Sequence, residues 1–351
     1  MDDRNLASHT LSRRRTLACA GWIGTGMLWS VVGGVPRTIG LIGSAQAADM
    51  APSAGNFTFL QMSDSHIGFK AGPYQDVTGT LQAAINQAKS LQAAPAFMLH
   101  TGDISHLAKV PEFDTADQIN ATSGLEIYHV PGEHDMLDPG KKLYLARYGK
   151  NTKGDGWYSF DSHGVHFVGL VNVVHNGPDG QWLLGPEQIA WLADDLRGQS
   201  ASTPVVVFAH IPLWTIYAAW GWGTGDAPAA LALLRRFGSV TILNGHIHQI
   251  MQKTEGNMAF HTARSTAFPQ PKPGTPPHEG PLLNVPAGEV GTYLVSRKLP
   301  IARPIRGSRS PMTRSAHREA RHAETFSRSH DPACRGQREL RLCGNRHRDD
   351  R

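Results

Sequence analysis

Five short clusters in this chain carry side chains of the types that can bind metal ions. They are Asp64-Ser65-His66, Gly102-Asp103, Gly132-Glu133-His134-Asp135, Ala209-His210-Ile211-Pro212 and Gly245-His246-Ile247-His248. Each follows an apolar run with the composition of a buried strand, so the fold is expected to deliver Asp, Glu and His side chains to the ends of successive strands. In a strand, residues i and i+2 point the same way. Asp64 with His66, and His246 with His248, are therefore each expected to offer two ligands to one face. Carboxylate oxygen plus imidazole nitrogen suits Mn, Fe, Zn or Co and does not distinguish among them. The three cysteines, Cys19, Cys334 and Cys343, all lie outside the central region. Any metal there has N and O ligands only, and the body holds no disulfide.

The order Asp-x-His, Gly-Asp, Gly-x-His-Asp, His, Gly-His-x-His resembles the calcineurin-like metallophosphoesterases, the two-metal phosphoester hydrolases, over roughly residues 57–268. The resemblance implies an α/β fold, a four-layer α/β/β/α sandwich. It also implies hydrolysis of a small-molecule phosphate monoester or diester by a dinuclear metal centre, with a bridging hydroxide as nucleophile. Carried over by motif, Asp64, His66 and His248 would hold the first ion and Asp103 would bridge both. Glu133, His210 and His246 would complete the second. His134 would reach the scissile phosphate as electrostatic stabiliser or general acid, and Asp135 would orient its imidazole. The chain departs from the family at one ligand, because Glu133 stands where the G-N-H-D pattern has Asn. A carboxylate there admits either two divalent ions or a mixed-valence pair. The alternative is a non-catalytic metal-binding or scaffold protein on the same fold, which loss of Asp103 or His134 would mark; both are present.

The remaining histidines are weaker candidates. His100, His129, His163, His166, His175 and His261 read as core or surface residues, and His106, three positions after Asp103, as a residue lining the pocket. The aromatic run Trp214, Tyr217, Trp220 and Trp222 follows His210 and reads either as a packed loop or as a wall of the substrate cleft.

Alternating strands and helices must position these groups. Strands are expected over 57–62, 96–100, 126–130, 204–209 and 240–243, and helices over 76–91, 112–121, 186–196 and 227–237. Residues 157–160 and 165–171 read as one hairpin, 247–252 and 258–263 as another. The first helix should bury Val77, Leu81, Ala84, Ile85 and Ala88 on one side.

Four regions follow: an export signal over 1–47, the catalytic domain over 48–268, a Pro-rich arm over 269–300 and an Arg-rich tail over 301–351. Ser12-Arg13-Arg14-Arg15-Thr16-Leu17, a Gly-rich apolar stretch and Ala45-Gln46-Ala47 resemble a twin-arginine signal with its cleavage site. The twin-arginine export machinery is thus an expected partner and the periplasm the expected location, with no stable membrane span after cleavage. The tail holds 13 Arg, no Lys and six acids, the composition of a disordered segment or of an altered reading frame. The formal charge of +5 comes from the two ends; residues 48–300 sum to −5. A nucleic-acid partner therefore has no support in the body of the chain.

Overall fold

The computed structural model describes residues 26–32, 35–41, 57–91 and 94–286. Short apolar runs build two sheets whose inner faces meet. The first contains β1 (Met27–Val32), β2 (Val35–Leu41), β3 (Phe57–Met62), β4 (Met98–His100) and β5 (Ile127–His129), in the order β2-β1-β3-β4-β5. The second contains β6 (Tyr158–Ser162), β7 (Val165–Gly169), β10 (Val205–Phe208), β11 (Val240–Asn244), β12 (Gln252–Glu255) and β13 (Met258–Thr262), in the order β12-β13-β11-β10-β7-β6. A separate ribbon pairs β8 (His175–Asn176) with β9 (Trp182–Leu183). Phe59, Phe97 and Leu99 of the first sheet pack on Phe167, Val206, Phe208 and Leu243 of the second, a core of interlocked aromatic rings.

Helices cover both outer faces. On the first sheet lie α1 (Val77–Lys89) and α2 (Val110–Ala121); α3 (Lys142–Tyr148) adds Tyr144 to the same core. On the second lie α4 (Pro186–Arg197) and α5 (Ala227–Leu234). This is the expected α/β/β/α sandwich. The stripe Val77, Leu81, Ala84, Ile85 and Ala88 is buried as its spacing requires, and Asp76 caps the helix by accepting from Gly79 N at 2.8 Å. Helix α2 begins two residues earlier than expected, where the Glu112 side chain accepts from Leu107 N at 2.7 Å and Lys109 N at 3.4 Å.

Strands β3, β4 and β5 run parallel to one another, as do β7, β10, β11 and β13. Their C-terminal ends share one edge of the sandwich, where loops in open α/β sheets hold ligands. The last hairpin turns at Gly256 as expected, but residues 247–251 are a loop and its first strand is β12. Met27–Val32 and Val35–Leu41, within the segment expected to be an export signal, form two strands of the first sheet. Val31, Val32, Val35 and Ile39 suit a strand as well as an apolar signal. Trp29 is buried, stacks on Phe59 with centroids 6.1 Å apart, and donates through Nε1 to Gln61 Oε1 at 3.3 Å. The rest of the expected signal, and the tail 301–351, lie outside the described residues. Among the described residues no helix is long and apolar enough to cross a membrane.

Candidate metal centre

The seven expected ligands come together on loops at the shared edge of the two sheets. Ligand atoms of Asp64, His66 and His248 lie within 4.8 Å of one another, and so do those of Glu133, His210 and His246. Asp103 stands between the two groups: its Oδ2 is 3.4 Å from His66 Nε2 and 3.4 Å from His210 Nε2. Its carboxylate thus contacts one imidazole of each group. All of these side chains except Glu133 are buried.

The local backbone explains the convergence, and not as the sequence suggested. Asp64, His66, Asp103, His246 and His248 all have positive φ, between 40° and 68°. They sit on left-handed turns beyond the strand ends, so the two Asp/His and His/His pairs do not share a strand face. Non-glycine residues rarely hold such angles, which cluster at functional sites where the surroundings over-determine them. Here the surroundings are visible. His66 N donates to Asp103 O and Asp64 N to Gly102 O, each at 2.9 Å, and His246 N donates to Asp64 Oδ1 at 3.0 Å. Gly132 packs so close to the Asp103 carboxylate that a Cβ there would overlap it.

Hydrogen bonds to backbone carbonyls fix the imidazoles. His210 Nδ1 donates to Thr101 O at 2.7 Å and His248 Nδ1 to Phe268 O at 2.6 Å. Both rings therefore present Nε2 as the free electron pair, the arrangement that metal-ligating histidines adopt. His66 Nε2 and His248 Nε2 face each other at 3.2 Å, and His210 Nε2 lies 2.9 Å from Glu133 Oε2. Asp64 Oδ2 is buried without a hydrogen-bond partner, and Glu133 Oε2 and His210 Nε2 have only their contacts within the cluster. Unpaired lone pairs aimed at common points are costly unless a cation completes them, so the donor set fits two metal ions.

The electrostatics point the same way. Burial alone would raise Glu133, but His246 and His210 hold its carboxyl well below the usual range. Burial would lower His210, yet Asp103 and Glu133 push its pKa well above the ordinary value. Burial would also raise Asp64, which His248 and His210 instead hold below the ordinary value. A cluster that stabilises positive charge on imidazole between ionised carboxylates stabilises a cation at the same place.

His134 lies beside the ligands rather than among the seven. Its Nδ1 donates to His106 O at 2.7 Å, its ring stacks on His106 with centroids 4.7 Å apart, and its backbone N donates to Asp103 Oδ1 at 3.0 Å. Burial lowers the His134 pKa, but Asp103, Glu133 and the bond to His106 outweigh it and raise it above the ordinary value. A proton donor poised there suits a leaving group. His106 stands beside the cluster, with Nδ1 3.4 Å from His66 Nδ1.

Asp135 requires a correction. It was expected to orient the His134 imidazole, but His106 O does that. The buried Asp135 carboxylate accepts instead from Gly132 N, Ile104 N, Ser105 N and Ser105 Oγ, at 2.8–3.1 Å. It clamps the loop carrying Glu133 to the loop carrying Asp103. The aromatic run is likewise structural at two of its positions. Trp222 is fully buried, and Trp220 packs on it edge-on, the two forming a cluster with Ile247. That cluster supports the turn between His246 and His248. Sequence reasoning passed over Gln270, whose Nε2 donates to His246 O at 2.9 Å, and Ser265, whose Oγ donates to Asp64 O at 2.7 Å.

The two-sheet sandwich thus carries carboxylate–imidazole clusters that could hold metal at one edge. The calcineurin-like phosphoesterase family matches residues 57–250, more than half of the chain, and the chain belongs to that family. Its fold is similar to a dimetal phosphatase from Danio rerio, with 16% identity and a TM-score of 0.47 over 60% of this chain and 88% of that one. It is also similar to a purple acid phosphatase, PPD1, from yellow lupin, with 11% identity and a TM-score of 0.43 over 69% of this chain and 60% of that one. No curated protein matches the sequence.

Proposed function

We propose that this protein is a metal-dependent phosphoester hydrolase acting on a small-molecule substrate. The observation that carries the reading is the place of Asp103 Oδ2, 3.4 Å from one imidazole of each ligand cluster. Asp64, His66, Asp103 and His248 would hold one ion, and Asp103, Glu133, His210 and His246 the other. Two such ions supply a water-derived nucleophile at neutral pH and relieve charge on the phosphoryl oxygens. His134 holds the proton that the departing alkoxide takes up, through the Nε2 left free by the Nδ1 bond to His106 O. Asp135 keeps the Glu133 and Asp103 loops in register, and burial of the cluster excludes competing water. The test is a screen of chromogenic phosphate monoesters and diesters with purified, metal-analysed protein. Turnover that is lost in Asp103→Ala supports the reading, and bound metal without turnover of any ester contradicts it.

We further propose that the protein works outside the cytoplasm, having been exported folded. The run Ser12-Arg13-Arg14-Arg15-Thr16-Leu17 and the sequence Ala45-Gln46-Ala47 support this. Cleavage after Ala47 would remove β1 and β2 and uncover the edge of β3. The intact mass of the protein recovered from the periplasm decides between a mature chain starting at Ala48 and one that keeps the hairpin.

A further inference from the structure

We propose that Glu133 makes this centre selective for phosphodiesters, which carry one negative charge, over phosphate monoesters, which carry two. The inference rests on the hydrolase reading above and deepens it. Both oxygens of Glu133 are committed to the site, Oε1 at 3.0 Å from His246 Nδ1 and Oε2 at 2.9 Å from His210 Nε2. The side chain therefore enters the cluster as a full carboxylate, where the family pattern has a neutral amide.

Charge decides the consequence. Asp64, Asp103 and Glu133 contribute three negative charges, and the four ligand histidines are neutral when they bind metal. Against two divalent ions this leaves one positive charge, and the hydroxide that attacks phosphorus cancels it. With an amide at position 133 the same count leaves one positive charge for the substrate. A proton on His134 adds one charge to both counts and leaves their difference unchanged, and among the described residues every ion-pair partner of Asp64, Asp103 and Glu133 is a histidine. A centre with one positive charge fewer loses less attraction for a monoanion than for a dianion. It also releases its product. Hydrolysis forms one P–O bond from hydroxide and breaks one P–OR bond, and the alkoxide leaves as alcohol with a proton. The monoester that remains is a dianion, which the same centre holds weakly.

The experiment compares wild type, Glu133→Gln and Glu133→Asp. Metal content is measured first, then inorganic phosphate binding by calorimetry, then kcat/KM for bis(p-nitrophenyl) phosphate and p-nitrophenyl phosphate. Removing one unit charge beside the bound anion should matter by about tenfold or more. Wild type should favour the diester. Glu133→Gln with both ions retained should bind phosphate about tenfold tighter and shift the diester-to-monoester ratio about tenfold toward the monoester. Glu133→Asp, which keeps the charge on a shorter arm, should keep the wild-type ratio. Turnover with the same ratio in Gln and wild type overturns the proposal alone. So does wild type that favours the monoester, even if Glu133→Gln loses its second ion. No turnover of either ester by metal-loaded wild type overturns the hydrolase reading and this proposal together.

Discussion

Replacing Asp135 separates two accounts of the Gly132-Glu133-His134-Asp135 loop. The buried carboxylate receives four hydrogen bonds, three of them from backbone N–H groups of Gly132, Ile104 and Ser105. In Asp135→Ala those three donors lose their partner, at about 1–3 kcal/mol each, or about 3–9 kcal/mol together. The loss is partly offset. Burial, reinforced by the charge of Asp103, lifts the Asp135 carboxyl from an ordinary 3.8 to about 6. The ionised form thus costs about 3 kcal/mol at neutral pH, a cost the alanine variant no longer bears. The net expectation is a destabilisation of about 3 kcal/mol, with weaker metal binding because the clamp spaces Glu133 from Asp103. Asp135→Asn keeps one acceptor oxygen and should fall between the two. Urea unfolding of chelator-treated protein measures the effect. If Asp135→Ala unfolds within about 0.5 kcal/mol of wild type and loses only kcat, the clamp is wrong and orientation of His134 is restored as its role.

Other perturbations report on separate parts of the account. His134→Ala should keep both ions and lose about 10²–10⁴ in kcat, the range for a positioned acid; unchanged kcat with metal in place would remove His134 from the reaction. Trp222→Ala should cost about 3–5 kcal/mol as a core deletion and impair aryl and alkyl esters alike, whereas a KM effect confined to aryl esters would make it a cleft wall. His166 lies far along the chain from the ligand motifs, with Nδ1 2.7 Å from Asp161 and Nε2 2.9 Å from Asp195. Burial lowers its pKa, but the two aspartates outweigh this and raise it above the ordinary 6.5. Their contribution to stability is therefore complete below about pH 6.5 and lost as pH rises through the folded value. Urea midpoints taken from pH 6 to 9 should fall for wild type and fall less for Asp195→Asn; parallel curves would refute this.

Much of the site was legible because ligand chemistry is written in residue type and spacing. Asp64, His66, Asp103, Glu133, His210, His246 and His248 converge as the motif order implied, and the apolar stripe of α1 emerged from its period. The geometry that brings the ligands together was not legible. A strand-face argument placed Asp64 beside His66, yet both occupy left-handed turns, which no side-chain pattern announces outside glycine. Asp135 was misread because its partners are backbone amides 30 or so residues away, and amides leave no signature in a sequence. Phe268 escaped notice for the same reason, since only its carbonyl acts on His248. The strands at Met27–Val32 and Val35–Leu41 were not legible because valine-rich, glycine-broken segments suit a strand and a leader alike. Trp222 could not be assigned to core or cleft until Ile247 was seen against it.

The central claim is that one carboxylate, Asp103, joins two metal positions. Elemental analysis of purified wild type and Asp103→Ala, paired with circular dichroism to verify folding, tests it directly. The account predicts two metal equivalents per chain in wild type and loss of both from a folded Asp103→Ala. Two equivalents retained by Asp103→Ala, or a wild type that binds no more than one under saturating metal, would contradict it.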